Sequence, residues 1–210
     1  NGRHRVKTVA LVDYGIGNID SVRRALQECG AEVVLAAKLA DFERCSSIVL
    51  PGVGAFGEGM KHLRERGLVE ILNEQVLNKK IPFLGICLGM QLLAKKGFEN
   101  ETGDGLGWID ADCALLSPKS EEEHIPHIGW NEVVHDGRSP LFQSLPSGKD
   151  FYFVHSYALK CRNPREQLAT TPYAGGFASS VGRDNIWGVQ FHPEKSQKTG
   201  FQLLRNFLSL

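Results

Sequence analysis

The most constraining stretch of this 210-residue chain is Gly85-Ile86-Cys87-Leu88-Gly89-Met90-Gln91. Ile81-Pro82-Phe83-Leu84 before it is a short apolar run that reads as a buried strand. Leu88 to Lys96, rich in Leu, Met, Gln, Ala and Lys, reads as a helix. The cysteine thus stands at a strand-to-helix turn inside Gly-x-Cys-x-Gly, the nucleophile-elbow pattern with sulfur replacing the serine oxygen. A turn this sharp strains the backbone at the nucleophile, and neighbours without a Cβ let the chain crowd there. A helix that begins at the cysteine points its free N–H groups and positive dipole end at the sulfur, which favours the nucleophilic thiolate. The same N–H groups can stabilise an oxyanion. A buried structural cysteine between two packing glycines would show the same letters, so the reading needs a base.

The base candidate lies far downstream, in Gly188-Val189-Gln190-Phe191-His192-Pro193-Glu194. Ile186 to Phe191 reads as a strand, which puts His192 at its end, where open α/β sheets place their chemistry. Glu194 follows two residues later, with Pro193 limiting the backbone between them. A carboxylate there can fix the imidazole tautomer while the other ring nitrogen faces the sulfur. By itself His-Pro-Glu is more often a surface turn; paired with the elbow it reads as the rest of a Cys-His-Glu triad.

Cys87 in its elbow, together with His192-Pro193-Glu194, resembles the class I (triad) glutamine amidotransferases. Three further stretches narrow the likeness: Pro51-Gly52-Val53-Gly54-Ala55-Phe56, Pro126-His127-Ile128-Gly129-Trp130-Asn131 and His192-Pro193-Glu194-Lys195-Ser196. Together they resemble those members of the family that act as glutaminase subunits for a separate (β/α)8-barrel cyclase (synthase) subunit in histidine biosynthesis. The resemblance runs from about Val9 to Phe207. It implies L-glutamine as substrate, no cofactor and a cytoplasmic enzyme. It further implies oxyanion donors on Leu88 and in the Gly52–Val53 loop, and glutamine contacts from Gln91 and from the backbone around His155, Ser156 and Tyr157. The first turn, Ile16, Gly17 and Asn18, would face the partner. Relatives of such subunits also support amidation in surface-polysaccharide sugar biosynthesis, and this alternative stays open. So do a non-catalytic subunit that kept the fold and a cysteine protease. The intact Cys87, His192 and Glu194 argue against the former, and the want of an announced peptide cleft against the latter.

The rest of the chain fits one α/β domain over residues 8–210, a mainly parallel, mixed central sheet with helices on both faces. Thr8–Asp13, Glu32–Leu35 and Ser47–Leu50 read as strands. Asn18 reads as the N-cap of a helix that carries Ile19, Val22, Leu26 and Cys29 on one face and stops at Gly30. The Gly15-x-Gly17 turn resembles a dinucleotide fingerprint, but the third glycine position is Asp20, so the pattern fails. Residues 58–78 read as helix interrupted near Gly67. From Gly97 the texture changes to a loop up to Gly107, then to short strands. Among these, Phe151–Tyr157 is the strongest by composition, and Ala178–Val181 and Ile186–Phe191 form a hairpin. Thr199–Leu208 closes the chain as a helix.

Lys plus Arg and Asp plus Glu both number 24, so nothing attracts nucleic acid or an anionic membrane in general, and the apolar runs are too short to span a bilayer. Residues 1–7 form a basic arm with no apolar stretch and cleavage site behind them, unlike a secretory signal. The five cysteines include no Cys-x-x-Cys pair, which argues against a disulfide framework or a zinc site and suits a reducing cytosol. His124-x-x-His127 lacks a third ligand, so no metal is expected. His155 is the rival candidate for the base.

Overall fold

The computed structural model describes residues 5–210; of the basic arm, residues 1–4 lie outside the described residues. The first half alternates strand and helix. In chain order come β1 (Thr8–Val12), α1 (Ile19–Glu28), β2 (Glu32–Ala36), the single turn α2 (Leu39–Phe42), β3 (Ser47–Leu50), α3 (Phe56–Glu65) and α4 (Leu68–Leu72). A π-helical turn at Asn73–Asn78 then leads to β4 (Phe83–Ile86) and the one-turn helix α5 (Leu88–Gln91). Gly67 sits at φ 67° between α3 and α4, a left-handed conformation that glycine adopts without penalty, and this is why the helical stretch breaks there.

The second half is strand-rich. It comprises β5 (Lys96–Gly97), β6 (Gly103–Asp104), β7 (Ala111–Leu115), β8 (His127–His135), β9 (Lys149–His155), β10 (Tyr157–Cys161), β11 (Gln167–Thr171), β12 (Phe177–Arg183) and β13 (Ile186–Val189), followed by α6 (Gln197–Leu208). Among the described residues thirteen strands join one mixed sheet whose main path runs β2-β1-β3-β4-β13-β12-β10-β7-β5-β6. The run β2-β1-β3-β4-β13 is parallel throughout, the expected product of short strands alternating with helices. β8 and β9 pair antiparallel off this path.

Strand alternation splits the core into two layers. On β1, Ala10 and Val12 face a cluster with Met60, Leu63, Leu68 and Leu72 of α3 and α4. Val9 and Leu11 face the other cluster, with Val22 and Leu26 of α1 and Leu203, Leu204 and Phe207 of α6. The period of two puts consecutive residues on opposite faces, so both faces need helical cover. Each large apolar side chain buried this way contributes about 1.5–3 kcal/mol.

Several sequence expectations shift. The helix expected over Leu88–Lys96 ends at Gln91, because tertiary pairing takes the backbone that would continue it. The Lys95 N–H goes to the Ala111 carbonyl, while the Leu92 and Ala94 carbonyls accept from Leu106 and Gly107. The strand expected from Ile81 begins at Phe83, the strand expected through Phe191 ends at Val189, and Phe151–Tyr157 divides at Ser156 into β9 and β10. The expected loop Gly97–Gly107 contains the short pairing of β5 with β6. Asn18 stands at the start of α1 but makes no side-chain cap; its amide is used elsewhere.

Candidate active site

Four segments converge at the C-terminal ends of the parallel strands: the turn after β1, the Pro51–Gly54 loop after β3, Cys87 after β4 and Gln190–Glu194 after β13. This is the crevice where open α/β sheets hold ligands. Cys87 adopts φ 55°, ψ −110°, a conformation that L-residues avoid and that costs on the order of 1–3 kcal/mol. The surroundings enforce it. The Cys87 N–H donates to the Val189 carbonyl at 2.8 Å, and the Cys87 carbonyl accepts from Met90 and Gln91. A Cβ on Gly85 would come 2.5 Å from the Gly89 carbonyl oxygen, and one on Gly89 would run into the Leu50 carbonyl. Both glycines of the elbow are thus required by close backbone approach.

His192 follows β13 by three residues, and its N–H donates to the Tyr152 carbonyl at 2.9 Å. The Ser196 hydroxyl donates to the His192 carbonyl at 2.6 Å and accepts from the Tyr152 N–H at 2.9 Å, which gives that serine a scaffolding role. A 3-10 turn at Pro193–Lys195 brings Glu194 back under the imidazole, with Nδ1 and Oε1 at 2.6 Å and both side chains fully buried. Nε2 is buried with no hydrogen-bond partner, and the Cys87 side chain lies close enough to favour charge on the ring. Burial disfavours charge on this ring, yet the neighbouring Cys87 and the hydrogen-bonded Glu194 favour it and push His192 up to about 10. The direction favours the protonated ring.

Asn18 supplies a contact that sequence reasoning missed. Its Nδ2 donates to Glu194 Oε1 at 3.0 Å across 176 positions of sequence, while Oδ1 accepts from the Ser21 hydroxyl. No local signal marks this, since an Asn before a helix reads as a cap. Ile16 is half-buried and Gly17 exposed; a Cβ placed on Gly17 would lie 4.0 Å from Val53 Cγ2.

The Leu88 N–H, expected to face an oxyanion, donates to the Gly52 carbonyl at 3.2 Å. Because a trans peptide sets its C=O and N–H in opposite directions, the Val53 N–H of that same peptide points away from Leu88. Tyr14 pins the loop upstream, its hydroxyl donating to the Pro51 carbonyl at 2.6 Å, and a Cβ on Gly52 would collide with that hydroxyl.

A cavity of about 400 Å³ opens over the sulfur, lined in part by Val53, Cys87, Gln91, His155, Ser156 and Tyr157. Gln91 donates from Nε2 to the Tyr157 carbonyl at 3.0 Å. His155 is not free to act on the sulfur: Nδ1 bonds the Tyr157 carbonyl at 2.9 Å and Nε2 bonds His127 Nδ1 at 2.9 Å. Since a carbonyl only accepts, His155 carries its proton on Nδ1, His127 donates from its own Nδ1, and His127 Nε2 accepts from Asn131 Nδ2 at 3.2 Å. This chain requires two neutral rings, and burial pushes both His127 and His155 down to about 4. His127 is thus committed to a hydrogen-bond chain, and among the described residues no cluster of three or more His, Cys, Asp or Glu side chains is arranged to hold a metal ion. All five cysteines are unpaired, and burial pushes the thiols of Cys29, Cys45, Cys113 and Cys161 up, Cys161 to about 11. No helix among the described residues is long and apolar enough to cross a membrane.

A strained cysteine beside a buried His–Glu pair, at the C-terminal ends of the parallel strands of a mixed α/β sheet, is the arrangement expected of an amidotransferase domain. The chain belongs to the glutamine amidotransferase class-I family, matched over residues 10–210. Among its relatives, the imidazole glycerol phosphate synthase subunit HisH of Pseudomonas aeruginosa is 42% identical over 204 residues, covering 96% of this chain and 99% of that one. The proteins of that name from Campylobacter jejuni and Brucella abortus are each 44% identical, covering 96% and 95% of this chain and 100% and 97% of theirs. Of solved structures, PurLQS from Thermotoga maritima superposes with a TM-score of 0.74 at 19% identity, covering 98% of this chain and 99% of that one. A glutamine amidotransferase from the same organism gives 0.60 at 23%, covering 93% and 80%. These two share the fold.

Proposed function

We propose that this chain is the glutaminase subunit of a cytoplasmic imidazole glycerol phosphate synthase. It hydrolyses glutamine to glutamate and ammonia and passes the ammonia to a (β/α)8-barrel cyclase subunit, which forms imidazole glycerol phosphate and aminoimidazole carboxamide ribotide in histidine biosynthesis. The carrying observation is Cys87 held in its strained elbow against the buried His192–Glu194 pair, in a chain that aligns end to end with subunits of that name.

The chemistry follows from the groups present. Glutamine lies in the cavity beside Gln91 and the His155–Tyr157 backbone, its side-chain carbonyl over Cys87. The thiolate attacks the carbonyl carbon to give a tetrahedral oxyanion, which N–H groups of Leu88 and Val53 receive. His192 gives its proton to the departing nitrogen, so ammonia leaves and a thioester remains. The neutral ring then takes a proton from water as water attacks the thioester, and glutamate departs. Glu194 keeps the ring oriented and balances its charge.

In the conformation described, the Gly52 carbonyl occupies the Leu88 donor and the Val53 N–H is turned away. This is a resting state, and the Gly52–Val53 peptide must rotate for turnover. The partner docks at Ile16, Gly17 and Asn18, a turn whose Asn18 bonds Glu194 and whose Gly17 has room for no more than a Cβ before Val53. Reconstitution tests the function. With the cyclase and its nucleotide substrate, glutamine supports imidazole glycerol phosphate formation with the parent chain, whereas with Cys87→Ala only added ammonia does. Glutamine-dependent product with Cys87→Ala refutes the assignment.

A further inference from the structure

α5 is a single turn, too short for much of a dipole, and its Leu88 N–H is engaged by the Gly52 carbonyl. The sulfur therefore needs other donors if it is to be held as an anion. Besides His192, one side chain among the described residues offers a donor: Gln190, fully buried, places Nε2 3.7 Å from Cys87 Sγ. Its amide orientation is set by a chain of one-way hydrogen bonds. The Tyr157 carbonyl can only accept, so the Gln91 atom 3.0 Å from it is the nitrogen. That nitrogen can only donate, so the Gln190 atom 3.2 Å from it is the oxygen, and the Gln190 amide nitrogen is left facing the sulfur. The Gln190 N–H bonds the Ser179 carbonyl at 2.9 Å, which anchors the backbone. On the opposing side the Val154 carbonyl lies 4.0 Å from Sγ and accepts from a thiol, but the longer distance makes it the weaker partner.

We propose that Gln190 is a positioning residue for the nucleophile. Its amide donates to the Cys87 thiolate, favours the anion, and locks the sulfur to the Gln91–Tyr157 wall of the cavity. This deepens the reading of Cys87 as the nucleophile and rests on it. An N–H donated to an anion is worth roughly twice one donated to a neutral acceptor, so loss of the donor acts on the thiolate more than on the thiol.

The test uses the unliganded chain. The rate of iodoacetamide alkylation at Cys87 is followed against pH by the mass of the Cys87 peptide, for the parent, Gln190→Met (similar length, no donor) and Gln190→Glu (acceptor only). The pH midpoint is expected to rise by about one unit in Gln190→Met and further in Gln190→Glu, while alkylation of Cys29 is unchanged. In partner-activated glutaminase assays kcat falls about tenfold with KM within about twofold, since the contact is to the nucleophile rather than the substrate. An unmoved midpoint in folded Gln190→Met overturns the proposal. Should both variants fold poorly, the side-chain amide resonances of Gln190 decide. They are expected to titrate with the Cys87 alkylation midpoint in the parent and to be pH-independent in Cys87→Ala; a flat response in the parent overturns the proposal. Alkylation needs no glutamine turnover, so failure of the glutaminase reading shows separately, as absent glutamate release with the alkylation shift intact.

Discussion

The resting peptide at Gly52–Val53 sets a quantitative expectation for activation. With the Leu88 N–H bonded to the Gly52 carbonyl at 3.2 Å and the Val53 N–H facing away, neither donor is free for an oxyanion. One missing donor costs about 10²–10³ in rate, so the isolated chain is expected to hydrolyse glutamine at least that much more slowly than the activated complex. Rotation breaks one long amide–carbonyl bond, a net loss of about 1 kcal/mol. Moving a loop from about 1% to about 99% active demands about 5.5 kcal/mol of differential binding from the partner and its nucleotide. On the proposed reading, that energy comes from docking at residues 16–18. The experiment adds the cyclase partner, first alone and then with its nucleotide substrate. Glutamate release is measured at saturating glutamine, with KM determined in each state. The expected result is a rise of two or more orders of magnitude, mostly in kcat, because the peptide acts on the transition state rather than on substrate binding. Equal turnover with and without the partner would show that the oxyanion hole is already formed and that no gate exists.

Other outcomes follow from the site. Diazo-oxo-norleucine is expected to modify Cys87 and no other cysteine, because burial holds the remaining thiols protonated; peptide mass mapping checks this, and a second labelled cysteine contradicts it. His192→Ala is expected to lower kcat by about 10²–10⁴ and Glu194→Ala by much less, since the base transfers protons and the carboxylate positions it. If His155→Ala proves the more damaging, the base has been misassigned. Folded His127 and His155 protonate near 4 and an unfolded histidine near about 6.5, so the unfolded chain binds more protons between these values. Stability is then full above about 6.5 and falls as pH drops towards 4, by on the order of 3 kcal/mol from His155 alone. Denaturant midpoints across this range measure it, and the slope should shrink in His155→Gln.

Sequence alone was enough for the class of fold and for the candidates that the structure brings together, Cys87, His192 and Glu194. The period-two strands with helices between them, the Gly-x-Cys-x-Gly turn and the His-Pro-Glu tripeptide are local patterns, and each is dictated by backbone geometry within a few residues. What those patterns could not settle is where hydrogen bonds go across the chain. The helix after Cys87 stops at Gln91 because Ala111, Leu106 and Gly107 claim its backbone, and helix propensity knows nothing of partners that arrive from another element. Asn18 serves Glu194 rather than capping α1, since a buried carboxylate has more to gain from a donor than a solvated helix end. His155, a credible base by type, is removed from contention by His127 and the Tyr157 carbonyl. Gln190 looked like one more strand residue until folding set its amide against the sulfur. The state of the oxyanion loop belongs to tertiary structure for the same reason. A glycine-flanked peptide is free to face either way, and only the packing of Tyr14, Pro51 and Leu88 around it decides which way it rests.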